Sequence, residues 1–321
     1  MGNFSMFKKK YIPVLAIILM MVLTHILALG VVNTFPREYR AFGEDTEDPL
    51  NPLIYLLFII VFTAVMLIVL KYTKGNFLKY LILGVVTLTL FYVFYPVLFY
   101  FSYPLLVKIG YNLAVYAAVV MAVSLTAILY KYPEWYVVDT VAVIMGAGIA
   151  GIFGMSFAIL PVFVLLIALA VYDFISVYKT KHMISLASGI MKLKVPVIMV
   201  VPRKLNYSFK DKEGVMQEIS KKKRRDAMFI GLGDFIIPGI LPVSASIYLP
   251  AAFVLGLSAP LLVAAGSIIG AVCGMLVLMR FVMKGNPQAG LPFLNSGAIL
   301  GYLLTYILVY NNYTFGMVFP W

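Results

Sequence analysis

Residues 157–178 read FAILPVFVLLIALAVYDFISVY, an apolar run that contains one charged residue, Asp173. A run of about 20 apolar residues is long enough for an α-helix to cross the hydrocarbon core of a bilayer. Runs of this kind recur along the whole chain of 321 residues. The sequence therefore predicts an all-α membrane protein that crosses the bilayer several times.

The composition excludes several other classes of protein. Hydrophobic residues make up 63% of the chain and charged residues only 12%, against about half and about a quarter in soluble domains. This excludes a soluble globular enzyme, a disordered chain and a fibrous repeat. The net charge of +12 is spread over short segments between apolar runs, as membrane topology requires. We therefore expect the lipid bilayer as a partner and no nucleic acid.

Hydropathy predicts nine transmembrane helices, at 10–32, 52–70, 79–101, 111–130, 136–155, 157–178, 227–247, 258–282 and 290–310. With the N-terminus cytoplasmic and the C-terminus outside, 22 of the 25 basic residues lie on the inner side. Such an excess of Lys and Arg on the cytoplasmic side is the usual rule for membrane proteins.

Three regions follow from this topology. Helices one to six occupy 1–178, a basic cytoplasmic loop occupies 179–226, and helices seven to nine occupy 227–321. Within the loop, the β-branched stretch 195–201 predicts a β-strand.

Two acidic residues lie well inside the predicted spans, Asp173 on the sixth and Asp234 on the seventh. Glu134 and Asp139 are assigned to the start of the fifth span. Because every Lys and Arg lies outside the predicted spans or within three residues of their ends, neither acid has a basic partner deep in the membrane, and we expect the two carboxyls to face each other. A rise of about 1.5 Å per residue places both carboxyls roughly 7–11 Å below the cytoplasmic boundary.

A close carboxyl pair in a low dielectric retains one proton, because two negative charges repel each other. The ionised member can take a proton from water while the protonated member polarises a peptide carbonyl. Such hydrolysis needs no metal and no cofactor. Tyr172 offers a hydroxyl to a carboxyl or a substrate, and Gly231 and Gly233 allow close approach of a backbone.

These residues also carry a family resemblance. Tyr172-Asp173 and Gly231-Leu232-Gly233-Asp234 resemble the YD and GxGD motifs of the presenilin and signal peptide peptidase family. The run 288–292 is similar to the family's Pro-Ala-Leu motif, with Ala289 at the usual proline and Gly290 at the usual alanine. The resemblance implies catalytic roles for Asp173 and Asp234. It implies substrate-binding or supporting roles for Tyr172, Gly231, Leu232, Gly233, Gln288, Ala289, Gly290, Leu291 and Pro292.

The resemblance implies an intramembrane aspartyl endopeptidase, a hydrolase that cleaves transmembrane segments of membrane-protein substrates without a cofactor or metal. An unwound substrate segment could pair by strand addition, and we nominate the strand at 195–201 and the backbone around Leu291 as templates. The short loops favour a multi-pass protein of a microbial, archaeal cell membrane. A homo-oligomer is left open.

Two other functions also use buried acids. An ion channel or a proton- or cation-coupled carrier could use Asp173 and Asp234 as relays, and prepilin-type aspartyl peptidases also carry GxGD. Among other polar residues, we interpret His25 as an interhelical hydrogen-bonding residue. Asn295 and Ser296 are weaker candidates for contact with the acid pair.

Overall fold

The computed structural model describes residues 2–72, 75–109, 112–180, 196, 198–202, 227–254, 256–283 and 288–318. These residues form the α-helices α1 (Gly2–Val31), α2 (Asn51–Tyr72), α3 (Gly75–Ile109), α4 (Asn112–Lys131), α5 (Trp135–Ser156), α6 (Ile159–Ile175), α7 (Gly233–Tyr248), α8 (Ala259–Val282) and α9 (Leu291–Tyr310). Two antiparallel strand pairs accompany them, β1 (Ile198–Pro202) with β2 (Ala227–Gly231) and β3 (Phe253–Val254) with β4 (Leu257–Ser258).

Seven of the described helices are long and apolar enough to cross a membrane: α1, α3, α4, α5, α6, α8 and α9. Shorter apolar helices lie at Asn51–Met66 within α2 and at Gly233–Tyr248, which is α7. The expectation of a largely helical membrane protein is confirmed. The number of crossings and the side on which each terminus lies stay predictions.

Large apolar side chains cover much of the outer surface of the helices. Leu15 is 67% exposed, Phe58 65% and Leu308 82%. Such exposure would favour aggregation in water, whereas lipid tails are as apolar as these side chains. The surface therefore fits a bilayer.

The core lies between α1 and the helices from α5 to α9. Its largest buried cluster includes Ile17 of α1, Phe235 of α7 and Leu294 of α9. A second cluster joins α3 and α4 to α5 and to Val200 of β1. Helix α5 contributes to both clusters, so it links the hairpin formed by β1 and β2 to the rest of the bundle.

Helices α8 and α9 pack backbone against backbone. A Cβ built on Gly270 would lie 2.1 Å from the Gly297 carbonyl oxygen, and one on Gly301 would lie 2.2 Å from that of Gly266. Glycines four residues apart allow such contact between membrane helices. This contact fixes the position of α9, whose first residue belongs to the candidate site.

The predicted seventh span differs from the structure at its start. Ala227–Gly231 forms β2, and the helix begins at Gly233 instead of residue 227. Strand β1 overlaps the predicted strand at 195–201 and pairs with β2, Val200 opposite Phe229. Hydropathy alone does not distinguish a short apolar strand from the first turns of a helix. Pairing with a distant segment decides between them.

Candidate active site

Asp173 lies in the last turn of α6 and is buried, with 5% of its surface exposed. Its Oδ2 atom accepts a hydrogen bond of 3.1 Å from the backbone N–H of Leu291, the first residue of α9. The first N–H groups of a helix have no partner inside the helix. A carboxylate at that end is also favoured by the helix dipole. Asp173 therefore joins the cytoplasmic end predicted for α6 to the start of α9.

Asp234 lies in the first turn of α7 and is half-buried. A Cβ built on Gly290 would lie 2.9 Å from its Oδ1 atom and 3.0 Å from its Oδ2 atom. Gly290 directly precedes Leu291, the residue that donates to Asp173. The two carboxyls therefore lie beside two consecutive residues at the start of α9.

Contacts with the described residues do not require the two glycines before Asp234. A Cβ on Gly231 would lie 3.9 Å from Asp234 Oδ2, and one on Gly233 would lie 3.8 Å from Ile237 Cδ1, which are ordinary contact distances. Leu232 between them is 8% exposed and belongs to the core. Gly231 is exposed. An exposed glycine, which has no side chain, suits the close approach of another backbone.

The run 288–292 lies beside the carboxyls at the start of α9. Ala289 and Leu291 are buried, and Pro292 lies in the first turn of the helix. Proline is common there, because the N–H that it lacks would have no partner inside the helix. Gln288 Oε1 accepts a hydrogen bond of 2.5 Å from the Tyr178 hydroxyl. Tyr178 belongs to the π-helical turn Ser176–Thr180 that follows α6.

Three other polar residues of the sequence analysis can be placed. Tyr172 is half-buried, and the donor found for Asp173 is the Leu291 N–H instead of the Tyr172 hydroxyl. Asn295 Nδ2 donates to the Leu166 carbonyl at 2.8 Å. This bond joins α9 to α6 about two helical turns before Asp173. Ser296 is exposed.

His25 of α1 forms the interhelical hydrogen bond that the sequence suggested. Its Nε2 atom lies 2.8 Å from the carbonyl oxygen of Phe235, the residue after Asp234, and the side chain is fully buried. A Cβ on Gly239 would lie 2.6 Å from His25 Cδ2. The lack of a side chain at Gly239 therefore leaves the space that the His25 imidazole occupies when it contacts α7.

Asp139 is a buried acid that the hydropathy analysis placed at the start of a span. It lies inside α5 with 4% of its surface exposed, and its Oδ1 accepts a hydrogen bond of 2.8 Å from the Val200 N–H of β1. Its Oδ2 has no hydrogen-bond partner in the part of the chain that the structure describes. Asp139 lies four residues after the start of an apolar helix. An acidic residue in such a position is the signal in the sequence that could have identified Asp139 as a functional candidate.

The described residues contain no group of three or more His, Cys, Asp or Glu side chains that could hold a metal ion. The chemistry offered by this region is that of two carboxyls, backbone N–H groups and a few amides and hydroxyls.

Comparison with known proteins decides the family. Residues 17–310 match the family model described as signal-peptide peptidase, presenilin aspartyl protease. The chain belongs to the presenilin and signal-peptide-peptidase family. Two solved structures of a presenilin family intramembrane aspartate protease, in C222 and P2 space groups, are 35% and 36% identical to the chain. Each covers 93% of this chain and 99% of the other chain, with a TM-score of 0.64. No curated protein matches it.

The protein is therefore an intramembrane aspartate protease, a hydrolase, and an integral membrane protein. The resemblance noted in the sequence is confirmed. The channel or carrier hypothesis is not favoured, and neither is the prepilin-type alternative, because the match to the presenilin family covers nearly the whole chain.

Proposed function

We propose that Asp173 and Asp234 are the catalytic pair of this protease and hydrolyse peptide bonds within transmembrane segments. The observation that carries this proposal is that both carboxyls lie at the start of α9: Asp173 accepts the Leu291 N–H, and Asp234 lies beside Gly290. The two carboxyls share one proton. The ionised member takes a proton from a water molecule, which attacks the scissile carbonyl carbon. The protonated member donates a hydrogen bond to the carbonyl oxygen. When the tetrahedral intermediate collapses, the C–N bond breaks and the leaving nitrogen receives the proton that was taken from water.

The Leu291 N–H fixes the side chain of Asp173. Because this N–H already donates to Asp173, it is not free to pair with a substrate. The backbone at Leu291 is therefore a poorer template than the sequence suggests. Its contribution to catalysis is orientation, since a misplacement of about 1 Å at a reacting group can cost about 100-fold in rate. Gly290 contributes by leaving space for the carboxyl of Asp234.

We propose that the substrate pairs as an extended strand with β2. The Val200 N–H points away from β2, toward Asp139. Because antiparallel partners alternate between facing and outward positions, the residue opposite, Phe229, directs its backbone groups to the outer edge of β2. Gly231, two residues on, does the same, and Asp234 follows three residues later. Added strands are a common mode of peptide recognition.

The backbone groups at that edge support this choice. The backbone hydrogen bonds found outside regular elements, within the described ranges, include none at 227–231. The corresponding edge of β1 is engaged at Val200. A substrate strand that pairs with β2 would therefore add a third strand beside β1 and β2. The backbone of the substrate would then run past Gly231 to the two carboxyls.

The proposed topology has nine crossings, with the N-terminus in the cytoplasm of a cell-membrane protein and the C-terminus outside. The distribution of basic residues supports it, and so do the seven long and two shorter apolar helices of the described residues. Under this topology, both carboxyls lie nearer the cytoplasmic face. Reporter fusions at each terminus would test the orientation.

Cleavage of a labelled single-span substrate tests the proposed function. The purified protein in detergent is compared with Asp173→Asn and Asp234→Asn, and the products are measured by mass spectrometry. Asp45→Asn serves as the matched control, because Asp45 is an exposed carboxyl in the loop after α1. We expect cuts within the span for the unchanged protein and the control, and no product for the other two variants. Product from either of these would overturn the proposal.

A further inference from the structure

Asp139 holds the outer edge of β1. Its Oδ1 atom lies 2.8 Å from the Val200 nitrogen, in the middle of a five-residue strand. Val200 is 1% exposed and Asp139 is 4% exposed, so water does not compete for this bond. The bond joins a side chain and a backbone 61 residues apart in sequence.

Packing does not require an acid at this position. The neighbouring buried residues of α5 are Val138, Val141 and Ala142, all apolar. A buried carboxyl with one oxygen unpartnered among the described residues is less favourable than an apolar side chain of similar size. What Asp139 supplies, and an apolar residue would not, is an acceptor for the strand.

That acceptor distinguishes one register of the hairpin. Val200 directs its N–H outward, whereas Met199 and Val201 face Ile230 and Met228 on β2. A slip of one residue would turn the Val200 N–H inward and remove the donor from Asp139, because successive residues of a strand point in opposite directions. The outward-facing residues on either side of Val200 are Ile198 and Pro202. A slip of two residues that brought Pro202 to Asp139 would offer no N–H.

The register of β1 is transmitted to the proposed catalytic pair. Strand β2 is paired with β1 along its whole length. Leu232 alone separates β2 from the first residue of α7, and Asp234 is the second. Pairing with β1 therefore sets where the outward N–H and C=O groups of Phe229 and Gly231 lie relative to Asp234. Asp139 stabilises that pairing through its hydrogen bond to Val200.

We propose that Asp139 is a positioning residue for proteolysis: it fixes the register of the hairpin and closes the β1 edge, and so determines which substrate bond meets the carboxyls. The inference rests on the proposed function, because it takes the hairpin as the substrate's template. Asp139 acts through β1 and touches neither substrate nor water in the reaction.

The test compares Asp139→Leu and Asp139→Asn. Leucine removes the acceptor at nearly the same volume, whereas asparagine keeps a carbonyl oxygen that can accept from Val200. The readouts are the distribution of cleavage positions by mass spectrometry, kcat and KM separately, and Tm. Ser244→Ala is the matched control, because it removes another buried hydrogen bond, from the Ser244 hydroxyl to the Phe157 carbonyl, at the far end of α7.

We expect Asp139→Leu to cut at additional positions and to lower kcat/KM about tenfold, the effect of losing one hydrogen bond of ordinary strength. Asp139→Asn should restore the original position. Ser244→Ala should keep the position whatever it does to Tm. If Asp139→Leu cuts the same single bond as the unchanged protein, the inference is overturned while the proposed function stands. Failure of the asparagine variant to restore the position would also overturn it.

Val200→Pro provides a second route, because it removes the donor of the same bond and proline is tolerated at outward positions of edge strands. It should broaden the cleavage positions as Asp139→Leu does, and the double variant should be no worse than either single variant. This comparison decides the inference where Asp139→Leu does not fold. An unchanged cleavage pattern in Val200→Pro would refute it. Absence of any Asp173-dependent product from the unchanged protein would instead refute the proposed function.

Discussion

Gly290 leaves room for the carboxyl of Asp234: a Cβ at position 290 would come within 2.9 Å of Oδ1 and 3.0 Å of Cγ. Real Cβ atoms essentially never approach a heavy atom more closely than that. The family resemblance places alanine at this position, so this protein carries the smaller residue where its acid lies close. The position of the Asp234 carboxyl therefore depends on the lack of a side chain at Gly290.

Enlarging residue 290 should impair catalysis in steps. We expect Gly290→Ala to lower kcat/KM about tenfold and Gly290→Val roughly 100-fold, because displacement of a reacting group by about 1 Å costs on that order. The measurement is substrate cleavage at several concentrations. Gly30→Ala is the control, since a Cβ there has no atom of the described residues within 4 Å. Full activity of Gly290→Val would show that Asp234 does not act from this position.

The hydrogen bond between His25 and the Phe235 carbonyl should stabilise α7 next to Asp234. We expect His25→Leu to lower the free energy of unfolding by about 1–2 kcal/mol, the usual effect of losing a buried hydrogen bond. Thermal unfolding in detergent and the cleavage rate are measured together. Thr24→Val is the neighbouring control, because the bond that the Thr24 hydroxyl makes among the described residues is to the Met20 carbonyl of its own helix. Unchanged stability in His25→Leu would contradict a supporting role.

The backbone contact between α8 and α9 should not tolerate a methyl group at Gly270. The added Cβ would lie 2.1 Å from the Gly297 oxygen, and both atoms belong to helix backbones that have little freedom to move. We expect Gly270→Ala to cost about 1–3 kcal/mol of stability, as overpacking does. Cleavage should fall as well, because α9 carries Leu291. Gly84→Ala is the control, because a Cβ there has no atom of the described residues within 4 Å; it should not destabilise the protein, since alanine is favoured over glycine inside a helix.

The hydrogen bond between Tyr178 and Gln288 joins the turn after α6 to the segment before α9. We expect Tyr178→Phe and Gln288→Leu each to lower kcat/KM about threefold, since Tyr178 is exposed and such bonds contribute about 0.5–1.5 kcal/mol. A double-mutant cycle measures their coupling. If the two residues act through this bond, the double variant should be no worse than the worse single variant. Strictly additive losses would indicate independent roles.

The sequence by itself determined the properties that depend on local composition. The apolar runs are read without any knowledge of packing, because a bilayer requires every span to be apolar along its own length. The two acids are identified in the same way, since a charged side chain in an apolar run is costly wherever it points. The motifs at 172–173, 231–234 and 288–292 then indicated the family.

Other features required the tertiary structure, because they depend on pairs of segments distant in sequence. Residues 227–231 form a strand because β1 is there to pair with it. His25 and Phe235 are 210 residues apart, and the Asp173 and Leu291 partners are 118 apart. Asp139 has no notable spacing to any motif, and its place beside Val200 emerges only when α5 packs against β1. Hydropathy located the acids along the chain, whereas helix and strand packing decided which backbone groups they meet.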